Sequence, residues 1–242
     1  MGTRHLIVVV YQGHWIVAQY GQFDGYPEYA GRNLVKILAS KDFIHKLRDG
    51  LTHTYKVSFE EMIYLMDGVA TEREQLDNRL ARLNTDGELV RSPYGRFCAE
   101  PLDNYTPDLL AMHPSLARET STAVLVLIAH ATADKPIPLH LEVEFANDSL
   151  SCEWAYVVDL DSDVLEVYGG ADIKTPEHRF VNVGRPNASV PAYIATIPFA
   201  EMEDYDSGNK NFLEMISTEI KMINTERRKE NEIYFNYNHE QE

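Results

Sequence analysis

The chain has 242 residues, 44% of them hydrophobic and 25% charged, and a formal net charge of −16. This length and apolar content suffice for one large domain or two small ones. The acidic charge argues against a general nucleic-acid binder, whose surface is usually basic, and two cysteines are too few for a disulfide framework. No stretch has the pattern of a signal peptide or a membrane span, so we expect a cytoplasmic protein with no membrane or DNA partner.

The first 20 residues predict a β-hairpin. Residues 4–11 and 14–20 are apolar on both alternating faces, which indicates strands covered on both sides, and Gln12-Gly13 supplies the turn. Arg4 lies at the edge of one apolar face. Its guanidinium is expected either to bind a carboxylate or an anionic ligand, or to extend into water.

The loop from Tyr20 to Glu28 concentrates glycines, carboxylates, aromatic rings and a glutamine in a short stretch. One interpretation is an acidic pair, Asp24 and Glu28, that binds a guanidinium or ammonium group or transfers protons. The side chains that would complete this binding site are Tyr20, Gln22 and Tyr26. The alternative is a purely structural turn that leads into the next helix, because Asp-Gly is a common turn dipeptide.

Several helices are predicted after this loop. Residues 31–40 and 42–48 show helical patterns, and Ser58 with Glu61 forms a near capping box that begins another helix. Residues 84–115 are rich in proline and irregular, which indicates an insertion or a lid. A further helix is predicted over 116–131, and its apolar run indicates burial.

A second β-rich block begins near His140. Apolar residues alternate over 141–145, which predicts a strand with one solvated face. Residues 151–158 and 164–168 predict a second hairpin around the acidic turn 159–163. A further strand is expected over 190–199.

The C-terminal part predicts an amphipathic helix over 211–228 and a polar tail over 229–242. We therefore predict one α+β domain over residues 1–228. Its central sheet is built from the two β-hairpins, with helices packed on both faces.

A second group of candidate residues lies in the later hairpin. On a strand Glu153 faces away from Trp154 and Tyr156, and a carboxylate in an apolar strand needs a partner, for which Arg4 is a testable choice. We predict that Glu153 and Tyr156 act in catalysis with Asp24, and that Trp154 contributes to binding. The alternative is that the Trp–Tyr face is ordinary core.

Other chemical motifs are missing from the sequence. The nine histidines are scattered without an i, i+4 pair, and neither a phosphate-binding glycine loop nor a hydrolase elbow pattern is present. No metal or cofactor is therefore predicted.

Three stretches together resemble a widespread family of fungal proteins with shorter bacterial and phage relatives. They are the opening MGTRHLI, the loop QFDGYPE at 22–28, and CEWAYVVDLD at 152–161. The chain is similar to the arginine-containing cyclodipeptide synthases, which take arginine and a second amino acid from charged tRNAs and close a diketopiperazine. The resemblance implies an aminoacyl-tRNA-dependent enzyme of secondary metabolism, with charged tRNA and a small cationic amino acid as partners.

Under this hypothesis Asp24 and Glu28 bind the cationic substrate, Arg4 orients a carboxylate, and Glu153 or Tyr156 moves protons. A tRNA-binding protein of this charge must gather its basic residues on one face. Two groups are candidates: Lys221, Arg227, Arg228 and Lys229, or Lys41, Lys46 and Arg48. The main alternative is a non-catalytic ligand-binding or interaction module that uses the 20–28 loop, and a third hypothesis is a hydrolase or cyclase of another kind.

Overall fold

The computed structural model describes residues 2–58, 60–61, 120–148, 151–172, 175–186 and 188–239. Within these ranges the strands are β1 (His5–Tyr11), β2 (His14–Gly21), β3 (Thr54–Lys56), β4 (Ile137–Leu139), β5 (Trp154–Asp159), β6 (Val164–Asp172) and β7 (Val190–Pro198). The α-helices are α1 (Arg32–Leu38), α2 (Lys41–Leu51), α3 (Ala123–Ala129), α4 (Met202–Asp206) and α5 (Phe212–His239). A π-helical turn spans Pro27–Gly31, and 3₁₀ turns span Val143–Asn147 and Phe199–Glu201.

The two predicted hairpins form one sheet, and the α+β class is confirmed. The strand order is β2-β1-β5-β6-β7. Strands β1 and β5 are parallel neighbours, whereas the other pairs in this sheet are antiparallel. The parallel pair therefore joins the two hairpins, and it sets the start of β1 beside the start of β5.

One face of this sheet, called here the first face, is covered by helices. It presents Ile7, Val9, Tyr156 and Val158, which pack into the larger of two apolar clusters. Residues from each of the described helices α1 to α5 join that cluster. Alternation along the strands puts His5 on the same face.

The opposite, second face holds a smaller apolar cluster that includes Leu6, Val8 and Val157. Its described cover includes the 3₁₀ turn Val143–Asn147 and the segment 175–186. The strand predicted over 141–145 is wrong, because the Phe145 N–H bonds the Glu142 carbonyl at 2.9 Å and closes a 3₁₀ turn. The described helices lie on the first face, and a helical cover on the second face stays a prediction.

The remaining predictions concern the ends of elements. The capping box is present: the Glu61 N–H donates to Ser58 Oγ at 3.1 Å, and the Ser58 N–H donates to Glu61 Oε2 at 2.7 Å. Helix α5 continues to His239, so most of the segment predicted as a polar tail is helical. The predicted insertion or lid at 84–115 lies outside the described residues.

Candidate active site

A serine and a histidine meet on the first face at the start of β1. His5 has no exposed surface, and its Nε2 lies 2.7 Å from Oγ of Ser121. The two residues are 116 positions apart in sequence. A hydroxyl at this distance from an imidazole is the arrangement by which a histidine activates a serine nucleophile.

The backbone around Ser121 is shaped to present its side chain. Ser121 has a positive φ of 46°, which is uncommon for a residue with a Cβ. It lies two residues before the buried helix α3, and its carbonyl accepts the Val124 N–H at 3.3 Å. Such strain persists only where the surrounding structure over-determines it, and it clusters at functional sites.

Two glycines make room for the imidazole. Gly21 is the cross-strand partner of His5, and a Cβ at Gly21 would overlap the ring. A Cβ at Gly25 would lie 2.8 Å from His5 Nδ1 and 2.7 Å from its Cβ. Because both neighbours lack side chains, the ring is held in one position between β2 and the 20–28 loop.

The imidazole is neutral at physiological pH. Burial lowers the pKa of His5 from 6.5 to about 4, and the Thr3 carbonyl and the Asp24 charge oppose this shift only in part. In a neutral imidazole one nitrogen donates and the other accepts. When Nδ1 carries the hydrogen, Nε2 accepts the Ser121 hydroxyl hydrogen, as a general base requires.

Two buried polar atoms of the neighbouring residues have no hydrogen-bond partner among the described residues: Gln19 Oε1 and Thr120 Oγ1. Thr120 precedes Ser121 in the chain. Gln19 pairs with Ile7 across the sheet, so its side chain lies on the face of His5. Buried polar groups are nearly always bonded, so this concentration sets the region apart from an ordinary core.

The 20–28 loop is held rigidly beside the pair. The Gly25 N–H donates to the Thr3 carbonyl at 3.0 Å, and the Ala30 N–H donates to the Asp24 carbonyl at 3.2 Å. Asp24 itself has a positive φ of 57°. The loop is therefore both a structural turn and the wall of the candidate site, and the two interpretations of it are compatible.

Tyr156, on strand β5, holds this loop against the sheet. It is fully buried, and its hydroxyl donates to the Gly25 carbonyl at 2.9 Å. Burial, with a smaller contribution from the Glu28 charge, raises the pKa of Tyr156 well above its usual value. The phenol keeps its proton, so its geometry suits positioning of Gly25 better than proton transfer.

The sheet divides the residues predicted from sequence. Asp24, Tyr156 and Trp154 belong to the first face, where the Trp154 and Tyr156 rings stack with centroids 6.4 Å apart. Glu28 and Tyr26 are exposed on the loop, Tyr26 at 47%. Of these residues, Trp154 is the strand partner of His5 and Asp24 acts on His5 through its charge.

The other predicted residues lie on the second face. The Tyr20 ring packs edge-on against Phe145 with centroids 4.8 Å apart, and its hydroxyl donates to Gln22 Oε1. Glu153 Oε1 accepts the backbone N–H of Arg4 at 3.4 Å. The expected Arg4–Glu153 pair is thus made through the backbone, and the described residues contain no ion pair between the two side chains.

Sequence reasoning missed His5 and Ser121. His5 was placed inside an apolar strand, and Ser121 inside a helix predicted to begin at 116. Two signals pointed to them: a histidine amid buried strand residues, and the run Thr120-Ser121-Thr122, typical of the residues just before a helix. Nothing in the sequence links the two positions, because only the fold brings them together.

The described ranges lack two further features, a metal-binding cluster and a membrane-spanning helix. They contain no cluster of three or more His, Cys, Asp or Glu side chains that could hold a metal ion. No helix in the same ranges combines the length and the apolar character needed to cross a bilayer.

Comparison with protein-family models, with curated proteins and with solved structures finds no match to this chain.

Proposed function

We propose that the chain is an acyl-transfer enzyme in which Ser121 is the nucleophile and His5 the general base. The 2.7 Å contact between Ser121 Oγ and His5 Nε2 carries this proposal. In the first step a bond forms from Oγ to the acyl carbon while Nε2 takes the hydroxyl proton. Return of that proton to the leaving group breaks the old acyl bond. An amine or water then attacks the acyl carbon while Nε2 takes its proton, and that proton returns to Oγ as the ester bond to Ser121 breaks.

The environment of the pair supports this role. His5 is buried and neutral, so it can accept a proton, and the positive φ of Ser121 fixes the hydroxyl against the ring. The low pKa of His5 makes its imidazole a weak base in the free enzyme. The developing charge of an imidazolium would be stabilised by Asp24, whose carboxylate already acts on His5 through its charge.

The narrower form of the proposal is synthesis of an arginine-containing cyclic dipeptide from aminoacyl-tRNA. Both amide bonds of a diketopiperazine arise by acyl transfer to an amine, which is the chemistry a serine–histidine pair performs. Asp24 and Glu28 are the carboxylates on the loop side that would hold a guanidinium. This form is supported by the sequence resemblance and by these two side chains.

A second candidate function is a non-catalytic binding module built on the same loop. Its support is the exposure of Phe23, Tyr26 and Tyr29, at 45%, 47% and 55%, on a rigid segment. Aromatic side chains exposed together on a fixed loop are typical of recognition surfaces.

Covalent labelling separates these functions. The purified chain is incubated with a fluorophosphonate or an activated ester, and the labelled residue is located by mass spectrometry. We expect one adduct at Ser121, lost in Ser121→Ala and Ser121→Gly and formed roughly 100-fold more slowly in His5→Asn. Ser40 is a matched control, since its Oγ caps α2 by accepting the Phe43 N–H at 3.2 Å. Failure of the wild-type chain to react, or equal reaction at Ser40, would exclude the nucleophile.

The narrower form needs its own readout. Extracts of a bacterial host that expresses the chain are compared by mass spectrometry with extracts from Asp24→Ala and Ser121→Gly hosts. A new arginine-containing diketopiperazine that both variants lack is the expected result. Labelling at Ser121 without such a product would retain acyl transfer and reject this substrate.

A further inference from the structure

A groove separate from the serine–histidine pair lies between α1 and the start of α5. It encloses about 500 Å³, within the usual range for small-molecule sites. Val35 and Phe212 contribute buried apolar surface to it, while Arg32, Lys36 and Lys210 bring positive charge. We call it the α1–α5 groove.

The two cations on α1 are available for a ligand. Arg32 and Lys36 are four residues apart, so they project from the same side of the helix, and both are exposed. Neither makes an ion pair with any carboxylate of the described ranges. Their charges are therefore not neutralised by a carboxylate of the described ranges, although the chain as a whole has a net charge of −16.

The opposite wall is fixed by its own contacts. The Lys210 ammonium lies 2.7 Å from Glu201 Oε2 and 3.6 Å from Asp204 Oδ2, and it sits over the Tyr205 ring at 5.6 Å. Asn211 Oδ1 accepts the Glu214 N–H at 3.2 Å, which leaves the amide nitrogen of Asn211 as a donor. This wall is therefore pre-organised to donate hydrogen bonds.

The charges on the walls limit what the groove can hold. Asp206 is the single acidic residue among the lining side chains, and the charge of Lys210 is already balanced by Glu201 and Asp204. A highly charged anion would be repelled by these three carboxylates, whereas one anionic group facing Arg32 and Lys36 would not. We propose that the α1–α5 groove binds a small organic anion, with its single carboxylate or phosphate on Arg32 and Lys36 and its apolar body over Val35 and Phe212.

This site does not depend on the chemistry of Ser121, although the loop that bears Gly25 connects the two regions. A Cβ at Gly31 would lie 2.8 Å from the Phe212 ring and 3.5 Å from the Tyr156 ring. Phe212, which lines the groove, therefore packs against the turn that follows the loop beside His5.

Binding of two probes tests the inference. Phenyl phosphate and benzoate are titrated separately by NMR at low ionic strength into the wild-type chain and into Arg32→Gln/Lys36→Gln. We expect saturable binding of at least one probe, weakened about tenfold or more in the variant, as loss of charged hydrogen bonds predicts. The tighter probe identifies the anionic group.

Lys41→Gln/Lys46→Gln is the matched control, since both lysines are exposed on the neighbouring helix α2. Equal weakening in this control would show a non-specific charge effect and overturn the proposal. Failure of both probes to saturate, or unchanged binding in Arg32→Gln/Lys36→Gln, would overturn it as well. The readout needs no turnover, so its result is separate from that of the Ser121 labelling.

Discussion

Two buried polar clusters lie on opposite faces of the same sheet and differ in how completely their hydrogen bonds are made. On the first face, His5 and Ser121 contact each other, while Gln19 Oε1 and Thr120 Oγ1 have no partner among the described residues. On the second face, Arg179 bonds Asp159 Oδ2 at 2.8 Å and Glu166 Oε2 at 2.9 Å, and it also bonds Glu166 Oε1.

The second cluster is satisfied at every carboxylate oxygen. Asp159 Oδ1 accepts the N–H groups of Asp161 and Ser162, each at 3.0 Å, and Glu166 Oε2 also accepts the Tyr168 hydroxyl at 2.6 Å. These bonds fasten the segment that bears Arg179 to the sheet. Burial of charge alone therefore does not mark a functional site; unmet bonding capacity and a strained backbone distinguish the first cluster from this one.

The largest expected effect is loss of acyl transfer from the first cluster. Ser121→Gly removes the nucleophile while accepting the positive φ, and it should lower kcat with an activated ester by about 1,000-fold or more. Circular dichroism and the melting temperature should stay close to those of the wild-type chain. Turnover that survives in Ser121→Gly at the wild-type rate would show that the two clusters do not differ in function.

For the second cluster we expect a loss of stability without a loss of Ser121 reactivity. Arg179→Met leaves two buried carboxylates without their cation, and it should lower the free energy of unfolding by about 3 kcal/mol, a value reduced because the Arg179 side chain remains 28% exposed. Urea denaturation measures this change. Labelling of Ser121 should persist at temperatures where the variant is folded. A stable variant with no labelling would contradict the division between the faces.

Much of this contrast could not be predicted from the sequence, although the framework could. Apolar runs bounded by turns predicted both hairpins, and the apolar run after Thr122 predicted a buried helix, because local patterns determine those elements. The strand prediction over 141–145 failed because five residues are too few for periodicity to separate a strand from a short turn. Leu141, Val143 and Phe145 pack against the second-face cluster from a 3₁₀ turn and its approach.

The candidate site is formed by contacts between segments that are far apart in the sequence. The parallel contact of β1 with β5 places Tyr156 beside Ile7, and the position of α3 brings Ser121 to His5. Neither follows from local periodicity, so Asp24 and Tyr156 were found as chemically rich residues while the pair they surround was missed. Arg179 was missed for the same reason, since its partners lie on β5 and β6.

A smaller effect is a pH dependence of the free energy of unfolding that comes from His5 in the first cluster. The pKa of His5 is about 4 in the folded chain and 6.5 when unfolded, so between these values the unfolded chain binds a proton that the folded chain does not. The free energy of unfolding therefore falls as pH drops from 6.5 to 4. At pH 5 the contribution lost is about 2 kcal/mol. His5→Asn should lack this contribution, so the wild-type minus variant difference from denaturation at pH 7 and pH 5 measures it. A difference that does not change with pH would contradict the buried, neutral assignment.

The smallest expected effect tests whether the 20–28 loop holds His5 in position against Ser121. Tyr156→Phe removes the hydroxyl that bonds the Gly25 carbonyl, and Tyr168→Phe removes the equivalent buried hydroxyl from Glu166. Both substitutions should lower the free energy of unfolding by about 1 kcal/mol.

Only Tyr156→Phe should slow labelling of Ser121, because Gly25 packs against His5 Nδ1 and a looser loop lets the imidazole turn away from the serine. It should also raise the pKa of His5, followed by NMR titration of the ring, because water then reaches the ring. Equal labelling rates in the two variants, with equal loss of stability, would reduce Tyr156 to an ordinary core residue.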